Sequence, residues 1–328
     1  MIRERPVTLA WSGKNGSICD RPAIAKIRDL TPAAVFEHGE VYQGDNLELL
    51  KALATKKSES VTLVYMDPPF LTGRLHAKIV KGETLDHRTT RVAFDDRWTD
   101  RAAFLQALGD RIARARDLLA PHGSIVVHVD TKTSHYVKVM MDEIFGEECF
   151  ASEIVWRYRR WPSKTSNFQR VHDVLLRYRK DASVTPRWNT LYEPLAPSTL
   201  ATWGTNKQRA VVSKTGRRSR SSTTEEKSRG VPLGDVWDIG VIAPVSRERT
   251  GYPSQKPEAL LERILSALTS EGDVVLDPYA GSGTTLAVAA RMGRKFIGID
   301  ASDVAIETLT ARLESMFAHA YARAKSKR

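Results

Sequence analysis

Val64-Tyr65-Met66-Asp67-Pro68-Pro69-Phe70 is the stretch on which the reading of this chain turns. The β-branched and aromatic run from Val61 to Tyr65 has the composition of a buried strand. That strand has to stop at Asp67, because the two prolines cannot donate to a sheet ladder and their rings fix the backbone. A carboxylate (Asp67), a carbonyl with no neighbouring donor (Pro68) and an aromatic ring (Phe70) are thereby presented together at the carboxyl end of a strand, where open α/β sheets bind ligands. The set suits a flat heterocycle that carries an amino group. Asp67 and the Pro68 carbonyl accept its two hydrogens, and Phe70 stacks on its face. A plain proline turn would leave the same letters, so a second stretch has to decide.

That stretch is Asp277-Pro278-Tyr279-Ala280-Gly281-Ser282-Gly283-Thr284-Thr285. Val274-Val275-Leu276 before it reads as a buried strand, and Leu286 to Arg291 after it as a small-residue helix. Phe296 to Ile299 is a further strand, ending on Asp300. A strand, a glycine turn, a helix, a second strand and a terminal acid make a nucleotide-cofactor unit. The glycines let backbone approach a ligand closely, and Asp300 is placed to bond ribose hydroxyls. The loop lacks the lysine of a phosphate cradle, and Gly281 and Gly283 are not followed by the third glycine of a dinucleotide fingerprint. Asp277 suits an ammonium better than a pyrophosphate. The combination favours an amino-acid nucleoside such as S-adenosylmethionine over NAD.

Outward from these two stretches the pattern is α/β. In the N-terminal arm Val7 to Trp11 reads as a short strand, and Ser12 to Gly16 is turn-rich. Glu40 to Gln43 reads as a strand leading to Asp45 and a leucine-spaced helix, so Asp45 is either a helix cap or another ligand carboxylate. The polar stretch from Leu71 to about Thr90 reads as a long loop, functional or mobile. The aromatics of Val92 to Trp98 either close over a ligand or pack beneath that loop. Arg101 to Leu119 is a helix ended by Pro121-His122-Gly123, Ser124 to Val129 a strand with Asp130 at its end, and residues 134–145 a helix. Two strands, Glu153 to Trp156 and Val171 to Tyr178, flank Arg157-Tyr158-Arg159-Arg160-Trp161. There Arg157, Arg159 and Arg160 alternate with aromatics in a mix that suits phosphate contact plus stacking.

From about Asp181 to Leu233 the core pattern fails. Lys207, Arg209, Lys214, Arg217, Arg218 and Arg220 sit among serines and threonines, opposed by Glu225 and Glu226. Such a segment is a solvated disordered loop in the free chain, and equally a DNA-contacting insertion that orders on binding. Val236 to Ile239 returns to a strand. Pro257 suits the first turn of a helix, and Ser302-Asp303 caps a final helix to about Phe317. The tail from Arg323 to Arg328 is basic and frayed.

Of the 328 residues 41% are hydrophobic, enough for a core, and the net charge of +11 points to a polyanion, nucleic acid first. Cys19 and Cys149 make neither a disulfide framework nor a metal site, and read as reduced cytosolic thiols. The eight histidines lack ligand spacing, so no metal is expected. No window reaches the ~18–20 apolar residues of a membrane span.

Three motifs carry a resemblance to the β-class DNA amino-methyltransferases, which act on adenine N6 or cytosine N4. Asp277 to Thr285 resembles their Asp-Pro-Phe-x-Gly-x-Gly-Thr-Thr cofactor loop, with Tyr279 at the aromatic position. Asp67-Pro68-Pro69-Phe70 resembles their catalytic Asp/Asn/Ser-Pro-Pro-aromatic motif. Tyr252 to Pro257 resembles their Pro-Thr-Gln-Lys-Pro, with Ser254 for threonine. The order also agrees: catalytic motif, recognition region, cofactor loop.

The resemblance implies a Rossmann-like α/β sheet in circular order. Its third strand would come first, at Val41, and its first and second strands last, at Val274 and Phe296. Residues 1–38 would be an N-terminal arm, 39–180 the catalytic half, 181–233 a target-recognition insertion, 234–318 the cofactor half and 319–328 a basic tail. It implies Asp67, Pro68, Pro69 and Phe70 as catalytic residues. It places S-adenosyl-L-methionine against Asp45, Ser254, Lys256, Asp277, Tyr279, Ala280, Gly281, Ser282, Gly283, Thr284 and Asp300. The insertion carries no motif of the family, and DNA contact is assigned to Arg157, Arg159, Arg160, Lys207, Arg217, Arg218 and Arg220 from their basic charge alone. Asp45 then shares a sheet edge with Asp67 and Asp277, which favours a ligand role over a mere cap. The initial Asp leans towards adenine N6 in double-stranded DNA, with cytosine N4 as the alternative. A cognate restriction endonuclease, a homodimer and a cytoplasmic setting in a prokaryote or from a phage go with the family. A catalytically silent DNA-binding protein of the same fold is the rival reading.

Overall fold

The Val61 run folds as a strand with every residue buried, and a sheet is built on both of its sides. The computed structural model describes residues 8–11, 14, 30–81, 88–162, 164 and 166–326, with no side chain described at 80, 81, 88, 208–210, 218–225 or 319–326. The chain forms two compact units, Met1–Trp188 with Asp235–Arg328, and Asn189–Gly234.

The larger unit runs β1 (Ala34–Phe36), β2 (Gly39–Gln43), α1 (Asn46–Lys57), β3 (Val61–Met66), β4 (Leu75–Lys81), β5 (Arg88–Asp95), α2 (Arg101–Leu118), β6 (Leu119–Val129), α3 (Ser134–Phe145), β7 (Phe150–Arg157) and β8 (His172–Arg179). The smaller unit holds β9 (Tyr192–Glu193), α4 (Pro197–Trp203), β10 (Asn206–Val212), β11 (Arg218–Lys227) and β12 (Val231–Pro232). The larger unit resumes with β13 (Val236–Asp238), α5 (Glu258–Leu268), β14 (Val274–Asp277), α6 (Thr284–Arg291), β15 (Lys295–Asp300) and α7 (Asp303–Ser326).

The strands of the main sheet lie in the order β1-β2-β15-β14-β3-β6-β8-β7-β13. From β2 to β6 neighbours are parallel, while β8 is antiparallel to both β6 and β7. This is the circular order that the resemblance implies. Parallel strands are covered on both faces and so read as continuous apolar runs. Val64, Met66 and Val127 join one cluster with Leu50 and Leu53 of α1, Phe104 and Ile112 of α2, and Met140 of α3. Each such side chain contributes roughly 1.5–3 kcal/mol by leaving water. Helices α5 and α6 pack on β3, β14 and β15.

Several expectations need correction. The polar stretch after Phe70 is a β-hairpin, β4 with β5, not a loop. Its apolar residues Leu75 and Ile79 stay exposed, so the alternation of a half-buried strand carries little hydrophobic signal. β6 starts five residues before Ser124, at Leu119. Pro121 is tolerated because the register with β3 is irregular there. The basic insertion holds an antiparallel hairpin, β10 with β11, in place of a disordered loop. Pro257 is the residue before α5, not its first turn, and α7 continues past Phe317 to Ser326. Residues 8–11 form no strand; Leu9 and Trp11 pack on the core. Val7, Cys19 and most of the Ser12–Gly16 turn lie outside the described residues, as do the side chains of the basic tail. Cys149 is a buried free thiol.

Candidate active site

Asp45, Asp300, Asp277 and Asp67 follow or end β2, β15, β14 and β3, four adjacent parallel strands, so all four acids fall on one sheet edge. There they line a single cavity of about 780 Å³ together with Pro68, Pro69, Phe70, Ser254, Lys256, Tyr279, Ala280, Gly281, Ser282 and Thr284. Gly283 does not line it. With φ +72° it starts α6, and a Cβ added there would meet Leu309 Cβ at 2.7 Å, so this glycine serves packing. Gly281 (φ +50°) faces the cavity, and its N–H donates to Asp300 Oδ2 at 2.8 Å.

Asp67 is gripped from two sides. Lys256 Nζ lies 2.7 Å from Oδ2 and 4.9 Å above the Phe70 ring. His128 Nδ1 lies 3.2 Å from Oδ1. Burial alone would push the Asp67 carboxyl up, but the Lys256 and His128 contacts outweigh it and hold the group below the usual carboxylate range. Lys256, expected along the cofactor, thus has its ammonium on the Asp67 carboxylate.

Two residues of this site had no sequence signal. His128 is fully buried in β6. Asp96, 1% exposed, organises the turn after the prolines. Its carboxylate accepts from the N–H groups of Phe70 (3.2 Å), Leu71 (2.9 Å) and Thr72 (2.8 Å), from Thr72 Oγ1 (2.6 Å) and from Trp98 Nε1 (3.2 Å). Leu71 sits at φ +55°, a conformation that costs a leucine energy. Those bonds offset the strain and aim Phe70.

The other acids differ in kind. Asp277 is 2% exposed and accepts from Tyr279 N–H at 3.0 Å. Burial, with Asp67 and Asp300 nearby, pushes its carboxyl up to about 7. Asp300 also accepts from Ser302 N–H at 2.9 Å, and burial raises it too. Asp45 does cap α1, accepting from Leu47 N–H at 2.9 Å, and it pairs with Arg111 at 2.8 Å. It remains over half exposed, at 56%. A buried carboxylate with no cation beside it among the described residues, an acid beside a glycine backbone and the aromatic Tyr279 fit a ligand with an ammonium, a ribose and a flat base.

The profile of a DNA methylase family matches residues 61–311. The chain belongs to this family. Among curated relatives, the type II methyltransferase M.HpaI of Haemophilus parainfluenzae is 30% identical over 82% of this chain and 73% of its own. The DNA adenine methyltransferase YhdJ of Escherichia coli (strain K12) is 29% identical over 84% and 82%. Among solved structures, the PvuII DNA methyltransferase (cytosine-N4-specific) superposes with a TM-score of 0.56 at 19% identity, covering 85% of this chain and 87% of that one. It shares the fold.

The DNA methylase carries its expected DNA-contacting residues in two places. Arg157, Arg159 and Arg160 are exposed at the end of β7, Arg157 3.7 Å from Asp238. The alternation with aromatics holds only for Trp161, which is 90% exposed. Tyr158 is buried, its hydroxyl donating to Asp173 at 3.1 Å, and cannot stack on a base. In the smaller unit Lys207 pairs with Glu226 at 3.1 Å and Arg217 is exposed in the β10–β11 turn. The side chains of Arg218 and Arg220 lie outside the described residues. No helix among the described residues is long and apolar enough to cross a membrane.

Proposed function

We propose that this DNA methylase modifies the exocyclic N6 of adenine in double-stranded DNA, acting on a base turned out of the duplex. The observation that carries the reading is the Asp67-Pro68-Pro69-Phe70 end of β3 opening into the same cavity as Asp277 and Asp300. S-adenosyl-L-methionine, the family's methyl donor, supplies an electrophilic methyl group on a sulfonium. In this reading Asp277 holds its ammonium and Asp300 its ribose. The backbone of Ala280, Gly281 and Ser282 approaches it closely, and Asp45, Ser254, Tyr279 and Thr284 complete the wall.

An exocyclic amine is a weak nucleophile, because its lone pair is delocalised into the ring. Asp67 Oδ2 and the Pro68 carbonyl accept its two hydrogens and favour a pyramidal nitrogen, held in line for attack. Phe70 stacks on the turned-out base. Lys256 occupies Oδ2 and the Phe70 face before the base arrives, and cedes both to it. Asp67 then takes the proton that the amine loses.

Adenine is supported by the initial Asp of the motif and by the name of YhdJ. Arg157, Arg159 and Arg160, with Lys207, Arg217, Arg218 and Arg220 of the smaller unit, would neutralise phosphates. That assigns target recognition to residues 181–233, catalysis to 39–180 and the cofactor to 234–318. The type II name of M.HpaI supports a partner endonuclease that cuts the unmodified site. DNA of a prokaryotic cytoplasm is the corresponding substrate.

The test is to incubate the protein with S-adenosylmethionine and unmodified mixed-sequence DNA, digest to nucleosides and weigh them. N6-methyladenine is expected. N4-methylcytosine would overturn the target, and no methylated base from a protein that binds the cofactor would revive the silent binder.

A further inference from the structure

Behind Asp67, away from the cavity, lies a buried line of polar groups that the reaction as described does not use. His128 Nδ1 stands 3.2 Å from Asp67 Oδ1 and 3.2 Å from the Tyr65 hydroxyl. Its Nε2 stands 3.5 Å from Asp173 Oδ2 in β8. Asp173 in turn accepts from the Tyr158 hydroxyl at 3.1 Å. The imidazole is 0% exposed and its ring is walled edge-on by Phe70, with centroids 5.2 Å apart, and by Trp156 at 5.4 Å. Asp67 Oδ1 and His128 Nε2 are buried, yet neither makes a hydrogen bond in this geometry.

Two carboxylates on opposite ends of one imidazole pose a simple problem. A neutral ring has one N–H: if that sits on Nε2, the bare Nδ1 can accept from the Tyr65 hydroxyl, but Asp67 Oδ1 is then left buried with no donor. Only a ring with a proton on both nitrogens can donate to Asp67 and Asp173 together. Buried polar atoms need partners, and contacts of 3.2–3.5 Å are of the length that tightens when substrate enters.

We propose that His128, protonated on both nitrogens and backed by Asp173, is a positioning residue that fixes the Oδ1 edge of Asp67 and leaves Oδ2 as the atom offered to the target amine. The inference rests on the proposed role of Asp67 as acceptor. It assigns the two oxygens of Asp67 different tasks: Oδ1 is tied to the sheet through His128, and Oδ2 is exchanged between Lys256 and the base. With Lys256, His128 holds a carboxylate so buried below the usual range. The charged and titratable groups that face Asp67 are Lys256 from the segment before α5, His128 from β6, Tyr65 of its own strand and Asp277 at the end of β14. Those facing His128 are Asp67, Tyr65 and Asp173.

The experiment is an NMR titration of the full-length protein labelled with 15N-histidine and 13C-aspartate, in wild type, His128→Phe and Asp173→Asn. His128→Phe assigns the ring signals and Asp67→Asn the carboxyl. Wild-type His128 should show two protonated nitrogens at neutral pH. In the folded variants the Asp67 carboxyl should titrate higher by about one unit or more. Single-turnover methyl transfer should fall about 100-fold, and its acid limb should move up with the carboxyl while cofactor affinity holds. Asp173→Asn changes shape least, so it decides the matter if His128→Phe does not fold. A single proton on wild-type His128, or an Asp67 titration unmoved in folded Asp173→Asn, overturns the proposal whatever the activity. A clamp seen by NMR in a protein that methylates no DNA supports the proposal's geometry and overturns the functional reading instead.

Discussion

Replacing Asp277 by Asn should stabilise the empty protein while destroying its affinity for the cofactor. The carboxyl is 2% exposed and has no ion-pair partner among the described residues. Burial pushes it from the ordinary 3.8 to about 7. Each unit corresponds to about 1.36 kcal/mol, so ionising Asp277 in the empty fold costs about 4 kcal/mol. The sign follows from the direction. The folded state binds this proton more tightly than the unfolded one, so the group costs nothing at low pH. The cost grows as pH rises from the unfolded value and is complete above about 7. An Asn keeps the bond from Tyr279 N–H and has no proton to lose. Its advantage over wild type should therefore grow by roughly 2–3 kcal/mol between about pH 5 and about pH 8.

A ligand ammonium restores the missing counter-charge, so wild-type cofactor affinity should fall about tenfold for each unit below about pH 7. Urea unfolding at the two pH values, with calorimetric titration of S-adenosylmethionine, measures both effects. An Asn variant whose relative stability is flat with pH, or which binds the cofactor with the wild-type pH slope, would refute the reasoning.

Other substitutions separate the remaining roles. Asp67→Ala should abolish methyl transfer and leave cofactor affinity within about threefold; equal loss of both, by calorimetry and nucleoside mass analysis, would remove Asp67 from the acceptor role. Asp96→Ala frees the turn that holds Leu71 at positive φ. It should lower stability by about 3 kcal/mol and slow methyl transfer more than it weakens cofactor binding, as urea unfolding and single-turnover rates will show. Gly283→Ala drives a Cβ against Leu309 at a positive φ, costing roughly 2–4 kcal/mol in thermal or urea unfolding. Changing Arg217, Arg218 and Arg220 together to Ala should weaken DNA binding and flatten its log–log salt slope by about 2–3. Unchanged affinity would take the hairpin out of the DNA interface.

How much of this was legible varied with the physics involved. The buried strands and the motifs at their ends were readable because each is local. Val61 to Met66 is continuous apolar sequence, a proline pair stops a strand by its own chemistry, and a glycine loop between two such strands has few uses. The hairpin β4–β5 and the hairpin of the basic insertion were not readable. Among their described side chains Leu75, Ile79, Val211 and Val212 are exposed, and backbone pairing leaves no mark in hydropathy.

The sequence by itself determined the motifs at the strand ends and, through their resemblance to a known family, the circular sheet order and the acids that would share one edge, since each motif is written in residues adjacent along the chain. Only the tertiary structure decided what each acid meets. Asp67 touches Lys256 and His128, residues far from it in sequence. Asp96 reaches back to hold the turn after the prolines, Asp45 is at once a cap and part of the cavity wall, and Asp277 has no counter-charge among the described residues. Burial and the approach of distant side chains set those differences, and neither is a property of any local stretch of sequence.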